Sequence, residues 1–183
     1  MPVKPEFNPD FLYFVTTAAI QHISLFRDEA AIRVILESLA FFRARKRVNL
    51  YAFVLMPNHV HFIARFTKDY VLSDGLRDFK RHTARKILDN LSSSARASLL
   101  SQLHRLNQDS RQDYKVWADG YDAREIYSPG FLQQKVSYVH HNPCQMHWRL
   151  AEKPEDYPWS TARYYLLDQP AVIPIDDVRD LFV

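Results

Sequence analysis

The sequence predicts an α+β fold, with one antiparallel sheet and helices on one face of it. Three observations carry this expectation: short runs of aromatic and β-branched residues, long amphipathic helical stripes between them, and a Pro57-Asn58 turn joining two of the runs directly. The run Phe11-Leu-Tyr-Phe-Val-Thr-Thr17 reads as a first strand. After Asp28, a residue type that caps helices, Ile32, Ile35, Leu36, Leu39 and Phe42 keep helical spacing up to the basic cluster Arg43-Ala-Arg-Lys-Arg47. Leu50 to Met56 and His59 to Phe66 are two further strands. Leu72, Leu76, Phe79, Thr83 and Ile87 form the apolar stripe of a second helix, and Ser92-Ser-Ser94 breaks it. Leu99, Leu100, Leu103 and Leu106 continue as another helical stretch, and Tyr114 to Ile126 reads as a strand followed by a loop. Phe131 to His141 is a short helix stopped by Pro143, because the residue before a proline is pushed out of the helical region. The order strand, helix, strand, strand, helix, strand, helix matches a ferredoxin-like plan with an added C-terminal helical segment.

Length and composition narrow the class. The 183 residues, spanning 1–183, fit one domain large enough to bury a core without disulfides or a structural metal. The apolar fraction of 47%, with 12 Phe and 10 Tyr, excludes a disordered chain. One cysteine, Cys144, rules out an internal disulfide and a cysteine-rich zinc site and suits a reducing compartment. No segment has the roughly 20 apolar residues of a membrane span, and Met1 to Glu6 lacks a signal-peptide run, so a cytoplasmic location is expected. The net charge of +3 is too small for a global field to hold a polyanion, so such a partner needs a local patch. Arg77, Arg81 and Arg85, four residues apart with Lys80 beside them, form one such flank, whose plain alternative is a solvated helix face. For Arg43 to Arg47 the solvated face is the preferred reading.

The most informative feature is the pair His59 and His61 within Met56-Pro-Asn-His-Val-His-Phe62. Side chains alternate along a strand, so both imidazoles leave one side of the sheet while Val60 enters the opposite side. Two neutral imidazoles make half a metal site; alone, the spacing recurs by chance, and exposed strand positions are its bland explanation. A closed structural zinc site needs four ligands, and no second paired motif is present. The best candidate for convergence is Tyr138-Val-His-His-Asn-Pro143, where helical spacing groups Tyr138, His141 and Asn142. A phenol with a reference pKa of about 10 is a useful nucleophile only where phenolate is stabilised or the attacked group is polarised, as a divalent metal polarises a phosphate.

Four segments in order, Leu55-Met-Pro-Asn-His-Val-His-Phe62, Trp117-Ala-Asp-Gly-Tyr121, Tyr138-Val-His-His-Asn-Pro143 and Pro154-Glu-Asp-Tyr-Pro-Trp-Ser-Thr-Ala-Arg-Tyr164, resemble the REP-associated tyrosine transposases. These form part of the insertion-sequence-200-like branch of single-strand endonucleases with a His-hydrophobic-His motif. The resemblance runs from about Phe11 to about Tyr165. It implies a ferredoxin-like fold, one catalytic tyrosine and a divalent metal, Mg²⁺ or Mn²⁺. By position, His59 and His61 would be metal ligands, Tyr138 the nucleophile and Asn142 the third ligand. The family often has Asn where this chain has His141, which leaves His141 open as an alternative third ligand. A Val-Arg-Ala-Gly run of the family is replaced here by Cys144-Gln-Met-His147.

The resemblance further implies attack of Tyr138 on single-stranded DNA carrying a REP-like hairpin, giving a 5′-phosphotyrosine link and a free 3′-hydroxyl. A ligand set without negative charge suits Mn²⁺ at least as well as Mg²⁺. Arg77, Lys80, Arg81 and Arg85 would contact DNA, and the protein would act as a monomer or a homodimer. The alternative is a domesticated relative that binds single-stranded or hairpin DNA without cutting it. An RNA-binding module of similar fold is disfavoured by the three glycines of the chain, too few for its glycine-aromatic signature.

Overall fold

A computed structural model describes residues 7–93, 97–107 and 113–182. The amino-terminal reading of Met1 to Glu6 and the Ser94 end of the serine break lie outside these residues. In chain order the elements are β1 (Leu12–Ala18), α1 (Glu29–Ala44), β2 (Val48–Leu55), β3 (His59–Phe66), α2 (Leu72–Ser92), α3 (Ala97–Leu106), β4 (Asp122–Ile126), α4 (Pro129–His141) and α5 (Ala162–Leu167). The four strands form one sheet in the order β2-β3-β1-β4, each pair antiparallel. With α1 after β1 and α2 before β4, this is the ferredoxin-like plan expected from the sequence.

Alternation divides the sheet into two faces. Tyr13, Val15, Phe53, Leu55, Val60, Phe62, Ala64 and Phe66 point to the first, where α1 contributes Ile32, Ile35, Leu36 and Leu39 and α2 contributes Leu72, Leu76, Phe79 and Ile87. Both helices follow from their apolar stripes, and Asp28 caps α1 by accepting a hydrogen bond from the Ala31 amide at 3.0 Å. Gly75 lets α2 press close to the sheet, since a Cβ there would stand 2.7 Å from the Phe66 ring. Burial of each large side chain in this layer contributes about 1.5–3 kcal/mol.

The second face carries Leu12, Phe14, Ala52, Val54, Ile63 and Ile126, covered by Leu132 and Val139 of α4. Helices on one face thus describes α1 and α2, whereas α4 occupies the side to which the histidines point. Tyr51 is an extra residue in β2, a bulge between Leu50 and Ala52. Its carbonyl accepts the Tyr165 hydroxyl at 2.8 Å. The C-terminal segment runs along the outer edge of β2, where the Leu55 amide donates to the Trp159 carbonyl and the Thr161 amide to that of Phe53, at 2.8 and 3.0 Å. That edge is therefore covered.

Two local expectations differ from the structure. Between Tyr114 and Ile126 the order is loop then strand: Val116 and Trp117 are buried as a loop, and the pairing falls to the polar Asp122-Ala-Arg-Glu-Ile126. An edge strand needs only one buried anchor, here Ile126, so its pattern is faint in sequence. Asn142 keeps helical angles (φ −54°, ψ −45°) although Pro143 follows. Pro143 lies in the first turn of a 3₁₀ segment, Asn142–Cys144, where its missing N–H costs nothing, so the turn extends α4.

Candidate active site

His59 and His61 stand side by side on the α4 face of β3, their ring centroids 4.5 Å apart and the planes at 76°. Each is held through Nδ1. The Asn58 side-chain oxygen lies 2.6 Å from His59 Nδ1, and the Thr16 hydroxyl lies 2.8 Å from His61 Nδ1. An amide oxygen only accepts, so Asn58 places the proton of His59 on Nδ1 and leaves the Nε2 lone pair available. Asn58 is itself fixed, its amide nitrogen donating to the His22 carbonyl at 3.0 Å and its carbonyl accepting from the Ala19 amide at 2.8 Å. Thr16 reaches His61 because β1 and β3 pair in a register that sets Thr16 opposite His61.

Burial keeps both rings neutral. It is the main cause lowering His59 to about 4, with repulsion from His22 and His147 added. It likewise lowers His61 to about 3, with help from His59 and Lys135. Neutral imidazoles at pH 7 present lone pairs without first releasing a proton.

Tyr138 is brought to this pair by the packing of α4. Val139 and His140 turn inward, and the His140 Nε2 hydrogen-bonds the Thr161 hydroxyl at 3.0 Å, tying α4 to the C-terminal segment. Tyr138, one position earlier, lies at the rim with 39% of its surface exposed. Its ring centroid is 5.3 Å from that of His61 and 5.8 Å from that of Phe14, edge-on to the latter. Phe14, buried and stacked on His61 at 5.2 Å, forms the floor. The ammonium of Lys135 lies 4.7 Å from the Phe14 ring centroid and 5.6 Å from that of Tyr138. On the other side, Trp148 lies 5.8 Å from His59.

The two candidate third ligands differ in setting. His141 is exposed, and its Nδ1 hydrogen-bonds the Ser137 carbonyl of its own helix at 2.9 Å. Among the described residues no group of three or more His, Cys, Asp or Glu is placed to hold a metal ion. Asn142 is buried, and its Oδ1 has no hydrogen-bond partner among the described residues. An unpartnered buried amide oxygen costs about 1–3 kcal/mol, so it calls for a ligand or a function. Two imidazoles held at Nδ1 and one orphaned amide oxygen fit a divalent cation in donor type.

The basic flank of α2 lies across the sheet from this site. Arg77 pairs with Asp74 at 2.7 Å and Arg81 with Asp78 at 2.8 Å. Lys80 donates to the carbonyls of Ala118 and Gly120, both at 2.6 Å, and so ties α2 to the chain ahead of β4. Arg85 lines an open groove between α1 and α2 with Arg33, Arg81, His82 and Lys86. Sequence reasoning missed Thr16, Asn58, Phe14, Lys135 and Trp148. Asn58 abuts the histidine motif, and Lys135 precedes Tyr138 by one helical turn, so both were legible; Thr16, Phe14 and Trp148 depend on register and packing.

No helix among the described residues is long and apolar enough to cross a membrane. Comparison with solved structures gives a REP-associated tyrosine transposase bound to a REP hairpin, at 16% identity and a TM-score of 0.61, covering 97% of this chain and 93% of that one. The likeness is one of fold. A second match is a putative transposase from Deinococcus radiodurans R1, at 19% identity and a TM-score of 0.47, covering 76% of this chain and 95% of that one. Comparison with curated proteins gives no match. The family model described as Transposase IS200 like matches residues 12–142, from the first residue of β1 to Asn142, and the chain therefore belongs to the IS200-like transposase family.

Proposed function

We propose that this transposase is a metal-dependent endonuclease and strand transferase for single-stranded DNA carrying a hairpin, with Tyr138 as its nucleophile. The observation that carries the reading is the contact between Tyr138 and His61 at 5.3 Å within one chain, on an open rim of the sheet. The phenolic oxygen of Tyr138 attacks the scissile phosphorus, the bond from phosphorus to the 3′-oxygen breaks, and that oxygen leaves as a 3′-hydroxyl. The phenolic proton is released and the 3′-oxygen gains one, so the step is balanced. The 5′-phosphotyrosine ester keeps the bond energy, and attack by another 3′-hydroxyl reverses the step and joins strands without a nucleotide cofactor.

Nε2 of His59, Nε2 of His61 and Oδ1 of Asn142 would hold the divalent cation. When bound there, Mg²⁺ or Mn²⁺ polarises the phosphate as a Lewis acid. Asn58 and Thr16 keep the two imidazoles oriented, and Phe14 excludes water from beneath them. Lys135 sets positive charge beside the phenol, where phenolate develops. The intrachain placement of Tyr138 supports cleavage by the same subunit that holds the histidines.

The test is a denaturant-resistant protein–DNA adduct formed with Mn²⁺ and labelled hairpin DNA. Wild type forms it and Tyr138→Phe does not; persistence in that variant would pass the role to another tyrosine. Hairpin binding by wild type with no adduct in any metal would make the chain a non-catalytic binder.

A further inference from the structure

The rings of the candidate site do not stop at Tyr138. Tyr127 and Phe131 stack with centroids 4.9 Å apart and planes 17° from parallel. Tyr127 is 74% exposed, so its ring is not placed there by burial. Ser128 caps α4 by accepting from the Phe131 amide at 3.2 Å, and Pro129 follows in the first turn, so the backbone between the two rings is held. Phe131, Lys135 and Tyr138 recur at helical spacing on one side of α4, and the Lys135 ammonium lies 5.1 Å from the Phe131 ring. Lys135 enters no ion pair among the described residues, and the charges it feels most, Arg124 and Asp122, pair with each other at 3.4 Å. A flat ring pair, its outer ring Tyr127 exposed and its inner ring Phe131 partly buried, therefore adjoins a cation free of ion pairs among the described residues, which in turn adjoins the proposed nucleophile.

This pattern of a stacking surface with a neighbouring cation matches the chemistry of an unpaired nucleotide, whose base has a π-face and whose backbone has a phosphate. We propose that Tyr127 and Phe131 form a platform on which a base of the substrate strand stacks, with Lys135 on its phosphate, setting which phosphodiester reaches Tyr138. The proposal rests on the strand-cleaving reading and adds a binding subsite to it. From Phe131 to Tyr138 the helix rises about 10 Å, at 1.5 Å per residue. That is about three nucleotides at the 3.4 Å spacing of a stacked strand and fewer for an extended one. The stacked base therefore lies within a few nucleotides of the bond that is cut.

The experiment compares binding of fluorescein-labelled dT20 and an all-abasic strand of the same length, at low salt and without metal. The two probes share charge and differ only in bases. Wild type should prefer dT20; Tyr127→Ala should weaken dT20 binding roughly 5- to 100-fold and leave the abasic strand unchanged. Tyr127→Trp should restore dT20 binding, and Lys135→Gln should weaken both probes. Because Tyr127 is exposed, its replacement should leave the circular dichroism melting curve in place, which separates lost stacking from lost folding. Equal dT20 affinity of wild type and Tyr127→Ala overturns the platform alone, as does an equal loss on both probes. Failure of wild type to bind either strand removes the platform together with the strand-cleaving reading.

Discussion

On the α1 and α2 face of the sheet, Phe53, Phe62, Phe66 and Phe79 fill a dense apolar layer, while Arg77 and Arg81 of α2 pair with carboxylates and Lys80 is tied to carbonyls. On the α4 face, the His61 imidazole, the Tyr138 ring and the Lys135 ammonium, which enters no ion pair among the described residues, gather around Phe14, with His59 beside His61 and the orphaned Asn142 oxygen at the end of α4. The first face is arranged as stabilising cores are, almost wholly apolar, although the buried Thr17 hydroxyl on it has no hydrogen-bond partner among the described residues. The second tolerates two desolvated imidazoles, a cost that the apolar layer does not carry. Under the proposed function, the difference places stability on one side of the sheet and chemistry on the other.

Four measurements break or sharpen that contrast, from the largest effect downward. Tyr138→Phe should lower adduct formation by ~10³-fold or more while shifting stability by less than about 1 kcal/mol, since the lost hydroxyl lies at a solvent-exposed rim. Phe79→Ala should do the reverse, costing about 3–5 kcal/mol in urea unfolding while the remaining folded protein keeps its rate. If both variants lose stability equally, the division of labour fails.

Replacement of Asn142 and His141 sharpens the second face. Asn142→Ala should lower Mn²⁺-dependent cleavage at least about tenfold, the range seen when a supporting metal contact is lost, and His141→Ala should change it less than about twofold. The opposite ranking would return the third-ligand role to His141.

The titration of the metal-free chain follows from burial. His59, His61 and His140 have folded pKa values lowered to about 4, 3 and 4 from an unfolded 6.5. Below pH 6.5 the unfolded chain takes up protons that the folded chain refuses, so stability falls as pH drops toward 4. The slope is up to about 1.4 kcal/mol per pH unit for each imidazole. His140→Gln should flatten this limb in a pH series of melting temperatures; an unchanged limb would mean His140 is protonated in the folded state.

The smallest effect is expected on the far face. Arg77 and Arg81 pair at the surface with Asp74 and Asp78, where such pairs are worth about 0–1 kcal/mol. Arg81→Ala should change dT20 binding less than Lys135→Gln does. A larger loss at Arg81 would extend the DNA path over α2.

The elements and the histidine face were legible because both rest on local periodicity. Stripes such as Leu72, Leu76, Phe79 and Thr83 mark α2 directly, and His59 with His61 share a side in any strand. The four motifs around His59, Trp117, Tyr138 and Tyr157 also point to the IS200-like family. Less legible was β4, whose single buried residue leaves little pattern, and the bulge at Tyr51, which changes a register that the hydrophobic run does not display.

Sequence by itself therefore determined the element types, the pair of imidazoles on one sheet face and the family. Tertiary structure alone decided that α4 packs over that face, that Thr16 and Phe14 meet His61, that Asn142 is buried where His141 is not, and that the α2 cations lie across the sheet. The reason is physical. Periodicity is a property of neighbouring residues, whereas strand register and helix docking depend on contacts between distant segments, which only the folded core selects.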